Sequence, residues 1–454
     1  MSTSDNRFDV AIVGLGTAGS YAYNLLNKAG FKVIAFDTKP YAGSRIRSTG
    51  AISSAWLDSV GLSQYNAPSL YDETNGVLGA RLKGFNLYAL NEKGHYSSFV
   101  YRSIVTDAVG YVFYQDKLER YLLGIPTTYL PTSIDPNIRF SHEVTNITIT
   151  DKVEVKVVDK IRDRTYTITA NNVLLCTGPT VRGSRSAMLA KAIGLYEDTP
   201  ITDYVNGIEY LHLNNNDGLG NTFTLYFSKS MMPGGYFWIF PSKLYLKVGC
   251  GTLLHYSIRE RFNNMRKMIL DRKIGLDEES KEIISKEPIH LFGNIIPLAK
   301  PYKEIVRKKD GKAAILGDAA NAVSAITGGG IQGALAQAYN AVDALTQGDL
   351  RKLQTWYKKY MYNGLMLSYR LKRWLYKLDD TELINLIHIL NTYSEEINEG
   401  LDRIFMEKKI RQNNIIDIPP FEVFNPFIKV ACNAAIELLP KIFYKQIVNV
   451  FRSK

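Results

Sequence analysis

Glycines set where a backbone must approach a charged ligand are the first chemistry in this chain. Gly14-Leu15-Gly16-Thr17-Ala18-Gly19 has the G-x-G-x-x-G spacing. In such a segment the first glycine permits a tight turn, the second lets backbone approach a pyrophosphate, and the third lets a helix pack closely on a strand. Asp37 lies 23 residues after Gly14, where a carboxylate accepts from ribose hydroxyls and repels the extra phosphate of an NADP-type ligand. A second segment, Gly317-Asp318-Ala319-Ala320-Asn321, is followed by Thr327-Gly328-Gly329-Gly330-Ile331. Asp318 can hydrogen-bond a ribityl chain. The pair of segments, at that separation, predicts a bound FAD, where the first alone is a weak dinucleotide signal.

The flanking residues supply the elements that would position these groups. Phe8 to Val13 is a short apolar run fit for a buried parallel strand, a helix pattern covers Ser20 to Lys28 and ends at Gly30, and a second strand from Lys32 to Phe36 delivers Asp37. The helix start, with Thr17 and Ala18 in its approach, would carry the anion. Ala313 to Leu316 reads as another strand, and Ile331 to Leu345 as a long helix. The free N–H groups of that helix would face the flavin N1/O2 edge and stabilise it when reduction makes it anionic. A further apolar strand, Val173 to Cys176, ends at Thr177-Gly178, placing Gly178 beside the cofactor.

At 454 residues the chain has room for two or three domains. We expect a discontinuous Rossmann-like FAD-binding α/β domain (1–75, 102–195 and 295–345), an antiparallel-sheet substrate domain (76–101 and 196–294) and a C-terminal helical domain (346–454). Cys176, Cys250 and Cys432 form no C-x-x-C pair, which argues against a cysteine-held metal site and for a reducing compartment, hence a cytoplasmic protein. No stretch reaches about 18 consecutive apolar residues, so no transmembrane helix is expected. The formal net charge of +11 favours an anionic partner. From Asp349 to Leu378 there are eight basic residues, among them Arg370, Lys372 and Arg373, and one acidic residue. Leu353, Tyr357, Leu367, Leu371, Trp374 and Leu378 form a helical apolar stripe through it. This is either a peripheral contact with anionic lipid headgroups or a docked helix with a solvated basic face. Ile428 to Phe451 is a second amphipathic candidate. No nucleic-acid module accompanies the charge.

Pro233-Gly234-Gly235-Tyr236-Phe237-Trp238-Ile239-Phe240-Pro241 sets four aromatics in five positions between prolines. Strand alternation puts Tyr236, Trp238 and Phe240 on one face and Phe237 and Ile239 on the other. On its own this pattern suits ordinary core as well as an apolar substrate wall. The segment resembles the P-x-x-Y-x-W-x-F-P pattern of the geranylgeranyl reductase family, and Gly14–Gly19, Gly317-Asp318, Thr327–Gly330 and Gly50-Ala51-Ile52-Ser53 sit where that family has its motifs. The resemblance covers roughly residues 8–345. It implies a p-hydroxybenzoate hydroxylase-type fold, with FAD used to reduce isoprenoid double bonds of archaeal membrane lipids, chlorophyll side chains, quinones or polyprenols. It further implies an isoprenoid channel lined by Pro233, Tyr236, Trp238, Phe240 and Pro241. Where many members carry Cys-Gly, this chain has Arg47-Ser48-Thr49; an arginine usual near the FAD aligns with Gln115; and Thr177-Gly178 stands for the Asp-Gly of related hydroxylases.

One strand–G-x-G-x-x-G–helix unit, at Gly14–Gly19, and no second nicotinamide unit imply an external electron donor, a ferredoxin or NAD(P)H. Reduced FAD would give hydride to one alkene carbon while a proton reaches the other, with Tyr236, Ser48 or a water as candidate donor and no metal involved. The alternatives are a flavin-dependent monooxygenase or halogenase on the same fold, which must consume oxygen, and a non-enzymatic flavin-bound redox carrier.

Overall fold

The computed structural model describes residues 7–127, 135–214 and 220–410; elements are numbered here in chain order. The apolar run before the first glycines forms Arg7–Val13 (β1), which lies parallel to Val33–Asp37 (β2) on one side and Arg164–Leu175 (β11) on the other. Ile138–Phe140 (β8) extends the layer beyond β2, and Ala313–Ile315 (β17) pairs with the end of β11. The earlier part of β11 continues into an antiparallel meander with Val153–Asp159 (β10) and His142–Ile149 (β9). Val10, Ala11 and Ile12 are fully buried, as expected where helices cover a parallel layer. Thr17–Lys28 (α1) packs against Ile331–Thr346 (α7) and Gln115–Leu123 (α3).

The second sheet holds Gly84–Leu90 (β5), Tyr96–Arg102 (β6), Tyr204–Leu213 (β12), Thr222–Phe227 (β13), Phe237–Pro241 (β14), Tyr245–Leu253 (β15) and His290–Pro297 (β16). Its order is β16-β12-β15-β14-β13-β5-β6, antiparallel except between β13 and β5. Ile208, Phe237, Ile239 and Val248 turn one face into a core with Ile258–Arg272 (α5) and Glu278–Ser285 (α6). The alternate residues of these strands turn towards the first sheet. A small sheet, Ala51–Ser53 (β3), Leu78–Leu82 (β4) and Gly110–Phe113 (β7), completes the strands, with Ser54–Ser59 (α2) following β3 and Arg185–Ala192 (α4) beside β9. No helix among the described residues is long and apolar enough to cross a membrane.

Arg351–Tyr357 (α8) and Asn363–Leu375 (α9) run on through a π-helical turn, followed by Asp380–Thr392 (α10) and Ser394–Ile410 (α11). Ile387 and Ile397 bury against Phe99 and Tyr101 of β6, fastening α10 and α11 to the second sheet. The basic stripe read from the sequence needs one correction. Lys372 is buried: its Nζ donates to Asp203 Oδ1 at 2.7 Å and to the Leu298 carbonyl at 2.6 Å. The rings of Tyr369 and Tyr376 flank it. It is an inward anchor of α9, whereas Arg370 and Arg373 are exposed. The Ile428–Phe451 candidate lies outside the described residues.

Candidate active site

A cavity of about 670 Å³ runs between the two large sheets. Its first half is built by the glycines. Gly14 has φ +96, and a Cβ there would stand 2.4 Å from the Cys176 carbonyl oxygen, so only glycine lets the end of β1 lie against the exit of β11. A Cβ on Gly19 would fall 1.9 Å from the Gly14 carbonyl oxygen, which fixes how closely α1 crosses β1. Gly16 and Gly178 differ: beyond the chain neighbours, no atom of the described residues lies within 4 Å of a Cβ on either, and both line the cavity. The bare backbone there faces the space where a ligand would lie.

The helices α1 and α7 both begin at the cavity, without a side-chain cap and without an acidic residue in the first turn. Their leading N–H groups and dipoles face the space, one start beside Gly16, Thr17 and Ala18, the other beside Gly328, Gly329, Gly330 and Ile331. Gly317 and Asp318 line the wall between them. Burial pushes the Asp318 carboxyl up to about 6, against the opposing charge of Arg47. These features fit FAD. An anionic pyrophosphate suits one uncapped start, the reduced flavin edge suits the other, and the open glycines leave room between. Gly19 is not part of the cavity wall; it serves the strand–helix crossing.

Three expected contacts have other partners as well. Asp37 lines the cavity, and its carboxylate also accepts from Leu15 N at 2.6 Å and Lys39 N at 2.8 Å. It therefore shapes the glycine loop. Gln115 Oε1 accepts from the backbone N–H of Arg47 at 2.5 Å and of Ser48 at 2.7 Å, while its Nε2 donates to Glu119 Oε1. A neutral amide can hold both N–H groups of this loop, which an arginine could not. Arg45, Arg47 and Arg185 line the cavity. The sequence singled out Arg47 only as a departure from the family pattern, and Arg45 and Arg185 not at all, because isolated arginines outside a motif carry no spacing signal. Ser48 also lines the cavity, its hydroxyl accepting from Gly50 N at 3.1 Å.

The second half is aromatic. Tyr236, Trp238 and Phe240 line it, joined by Phe85, Phe223 and Phe292, with Leu82 and Leu225 between. Phe223 stacks on Phe240 at 4.8 Å between ring centroids, and Tyr236 meets Trp238 edge-on at 5.7 Å. Pro233 and Pro241, expected in the channel, are not part of its wall. Pro241 follows Phe240 and so points to the other face of β14. The Pro233 carbonyl instead accepts from the Thr252 hydroxyl at 2.9 Å. The Tyr236 hydroxyl donates to the Thr327 carbonyl, and burial pushes its phenol above the ordinary value. That ties the aromatic strand to the loop that leads into α7.

Between the two halves lies a polar cluster absent from the sequence-based candidates. Glu209 on β12 is 1% exposed. Its Oε2 accepts from Thr49 Oγ1 at 2.5 Å and from Trp238 Nε1 at 2.8 Å. Its Oε1 is buried with no partner among the described residues. Gly249 of β15 stands opposite both Glu209 and Trp238 in the sheet. A Cβ on Gly249 would lie 2.5 Å from the indole, so this glycine lets the ring cross β15 to reach Glu209. Lys247, buried on the same face, donates to the Thr49 carbonyl at 2.6 Å. Burial pushes the Glu209 carboxyl up, with the Lys247 charge opposing. The available signal was a lone acid in the strand pattern Gly207-Ile208-Glu209, in phase with a small residue.

No protein-family profile matches the chain. It is 23% identical over 405 residues to a protein from Thermoplasma acidophilum named digeranylgeranylglycerophospholipid reductase, covering 85% of this chain and 91% of the relative. It is 27% identical over 330 residues to digeranylgeranylglycerophospholipid reductase 3 of Methanosphaera stadtmanae, covering 72% and 74%. Among solved structures, a geranylgeranyl bacteriochlorophyll reductase-like protein of Thermoplasma acidophilum superposes with a TM-score of 0.72 at 19% identity, over 96% of this chain and 99% of that one. The likeness to that structure is one of fold.

Proposed function

We propose that this chain, an FAD-dependent oxidoreductase similar to the geranylgeranyl reductases, saturates carbon–carbon double bonds of geranylgeranyl chains carried by membrane lipids. The observation that carries this reading is the continuity of one cavity, glycine-walled and helix-capped at one end, aromatic at the other. A long unsaturated hydrocarbon needs such an apolar slot ending at a redox group, and few polar side chains to orient it. FAD, when bound, supplies a hydride from its reduced ring. The chain's own residues hold the pyrophosphate at the start of α1, favour the reduced flavin edge at the start of α7, and exclude water along Phe85, Phe223 and Phe240.

The electrons come from an external donor, a ferredoxin or NAD(P)H, because the strand–turn–helix of β1, Gly14–Gly16 and α1 supplies one dinucleotide site. The lipid reaches the cavity while the protein sits reversibly on an anionic membrane surface through the exposed cations of α8 and α9. The test is anaerobic. Chemically reduced flavoprotein should be reoxidised by a geranylgeranyl lipid, with mass spectrometry finding two added hydrogens per double bond. Turnover that instead requires oxygen would replace this reading with a monooxygenase or halogenase.

A further inference from the structure

The geometry points to Glu209 as the acid that delivers the second hydrogen, as a proton, to the alkene carbon. This rests on the reductase reading above and names a group that reading left open. Saturating a double bond needs a hydride at one carbon and a proton at the other. Neither of the two side chains among the sequence-based candidates is placed to give that proton. The Tyr236 O–H is directed at the Thr327 carbonyl, and its phenol is held above an already weakly acidic range. Ser48 is an alcohol accepting from Gly50 N.

Glu209 meets the requirements that these two miss. It lies in the cavity wall at the seam of the two halves, bonded to Thr49 on the cofactor side and to Trp238 on the aromatic side. Both donors bond the same oxygen, Oε2, so the proton of the acid form falls to Oε1, which has no partner among the described residues and, shielded in this conformation, is presented to the cavity by a turn of the carboxyl. An unmet buried oxygen costs stability, and anchoring Trp238 through Oε2 does not require it. Lys247 comes close enough to matter electrostatically, yet its hydrogen bonds go to the Thr49 and Phe113 carbonyls. The groups facing Glu209 are Lys247 from β15, Trp238 from β14, Phe292 opposite it on β16, and Thr49 from the loop before β3. Lys247 is the one charged group among them. Desolvation favours the neutral acid at this site, and the Thr49 and Trp238 bonds stabilise the carboxylate left after transfer.

The step balances. The π bond of the alkene breaks. A hydride equivalent from the reduced cofactor, carrying two electrons, forms one C–H bond. The Oε1–H bond of Glu209 breaks, its proton forms the other C–H bond, and its electron pair stays on the carboxylate. A solvent proton then restores the acid before the next bond is reduced.

The experiment has a readout independent of turnover. Infrared spectra of the FAD-loaded protein at pH 7, in H2O and D2O, should contain a protonated-carboxyl C=O band that shifts on deuteration and is absent from Glu209→Gln. The Gln variant should take up FAD with the parent's visible spectrum. In anaerobic single turnover of dithionite-reduced protein with a geranylgeranyl lipid in detergent, it should reoxidise about 10²-fold or more slowly, and Glu209→Asp should recover part of the rate. Thr49→Val removes a bond that favours the carboxylate, so the high-pH fall in rate should move upward. Three results would overturn the assignment: no such band in the parent, Glu209→Gln turning over within about twofold of the parent, or a pH fall-off unchanged in Thr49→Val. Should the Gln variant fail to fold, the rate of Glu209→Asp and the Thr49→Val profile still decide. A parent that binds FAD but reduces no isoprenoid double bond overturns the reductase reading itself; a reducing parent matched by Glu209→Gln overturns the role of Glu209 alone.

Discussion

Two glycines of one motif separate binding from folding at the scale of single residues. A Cβ on Gly16 would have no atom of the described residues within 4 Å beyond its chain neighbours, only the space assigned to the pyrophosphate. Gly16→Val should therefore leave the melting temperature of the apoprotein within about 0.5 °C of the parent, a change of about 0.5 kcal/mol or less, while abolishing FAD uptake. Gly14→Ala should do the reverse. Its Cβ would press on the Cys176 carbonyl, in a left-handed backbone conformation, at a cost of about 1–3 kcal/mol before any ligand is added. Chemical melts of both apoproteins, with flavin titrations of whatever folds, check the pair. A Gly16→Val protein that comes off the column yellow would show that the cofactor does not use this turn.

At the scale of elements, what the sequence could disclose was local, and what it could not was the opposite side of a contact. The strand–turn–helix around Gly14 and the long helix from Ile331 were legible because period, glycine spacing and strand exits are all properties of one segment. The alternation of Tyr236, Trp238 and Phe240 was legible for the same reason. Glu209 was not, since its meaning depends on an indole two strands away crossing Gly249 to meet it. Lys372 was misplaced for a related reason. The helical stripe around it is correct, but the carboxylate that draws it inward belongs to Asp203, which stands just before β12. Removing that cation should be costly, because Asp203 would stay largely buried with the Tyr369 hydroxyl and no charge to balance it. Lys372→Met should destabilise by about 3–5 kcal/mol, and adding Asp203→Leu should recover most of the loss, as buried pairs often behave on joint replacement. Urea unfolding of the two variants gives both numbers. A single variant as stable as the parent would mean that α9 is held by its apolar contacts alone.

For the whole molecule the governing quantity is charge against solubility of the substrate. The chain carries a net +11, and the lipid substrate proposed for it would stay in its bilayer, so the proposal has the protein work at the surface or extract its substrate there. With Lys372 turned inward, the outward cations of this region are those of α8 and of the far side of α9. Arg351 is paired with Asp349 and Lys358 with Glu304. Arg370, Arg373 and Lys377 recur at i, i+3 and i+7 and are exposed, which places them along one side of the helix and just past its end. Each basic residue close to an anionic leaflet contributes about 1 kcal/mol, less as salt is added. The three together change the partition coefficient by about two orders of magnitude, enough to switch flotation on or off. The parent should float with vesicles containing anionic lipid, fail to float with neutral ones, and be released by salt. Arg370→Glu with Arg373→Glu and Lys377→Glu should stay at the bottom of the gradient, while its FAD content and its single turnover with detergent-dispersed lipid match the parent. Were the triple variant to float as well as the parent, these cations would be a solvated face, and the lipid would enter the aromatic half of the cavity from another side of the molecule.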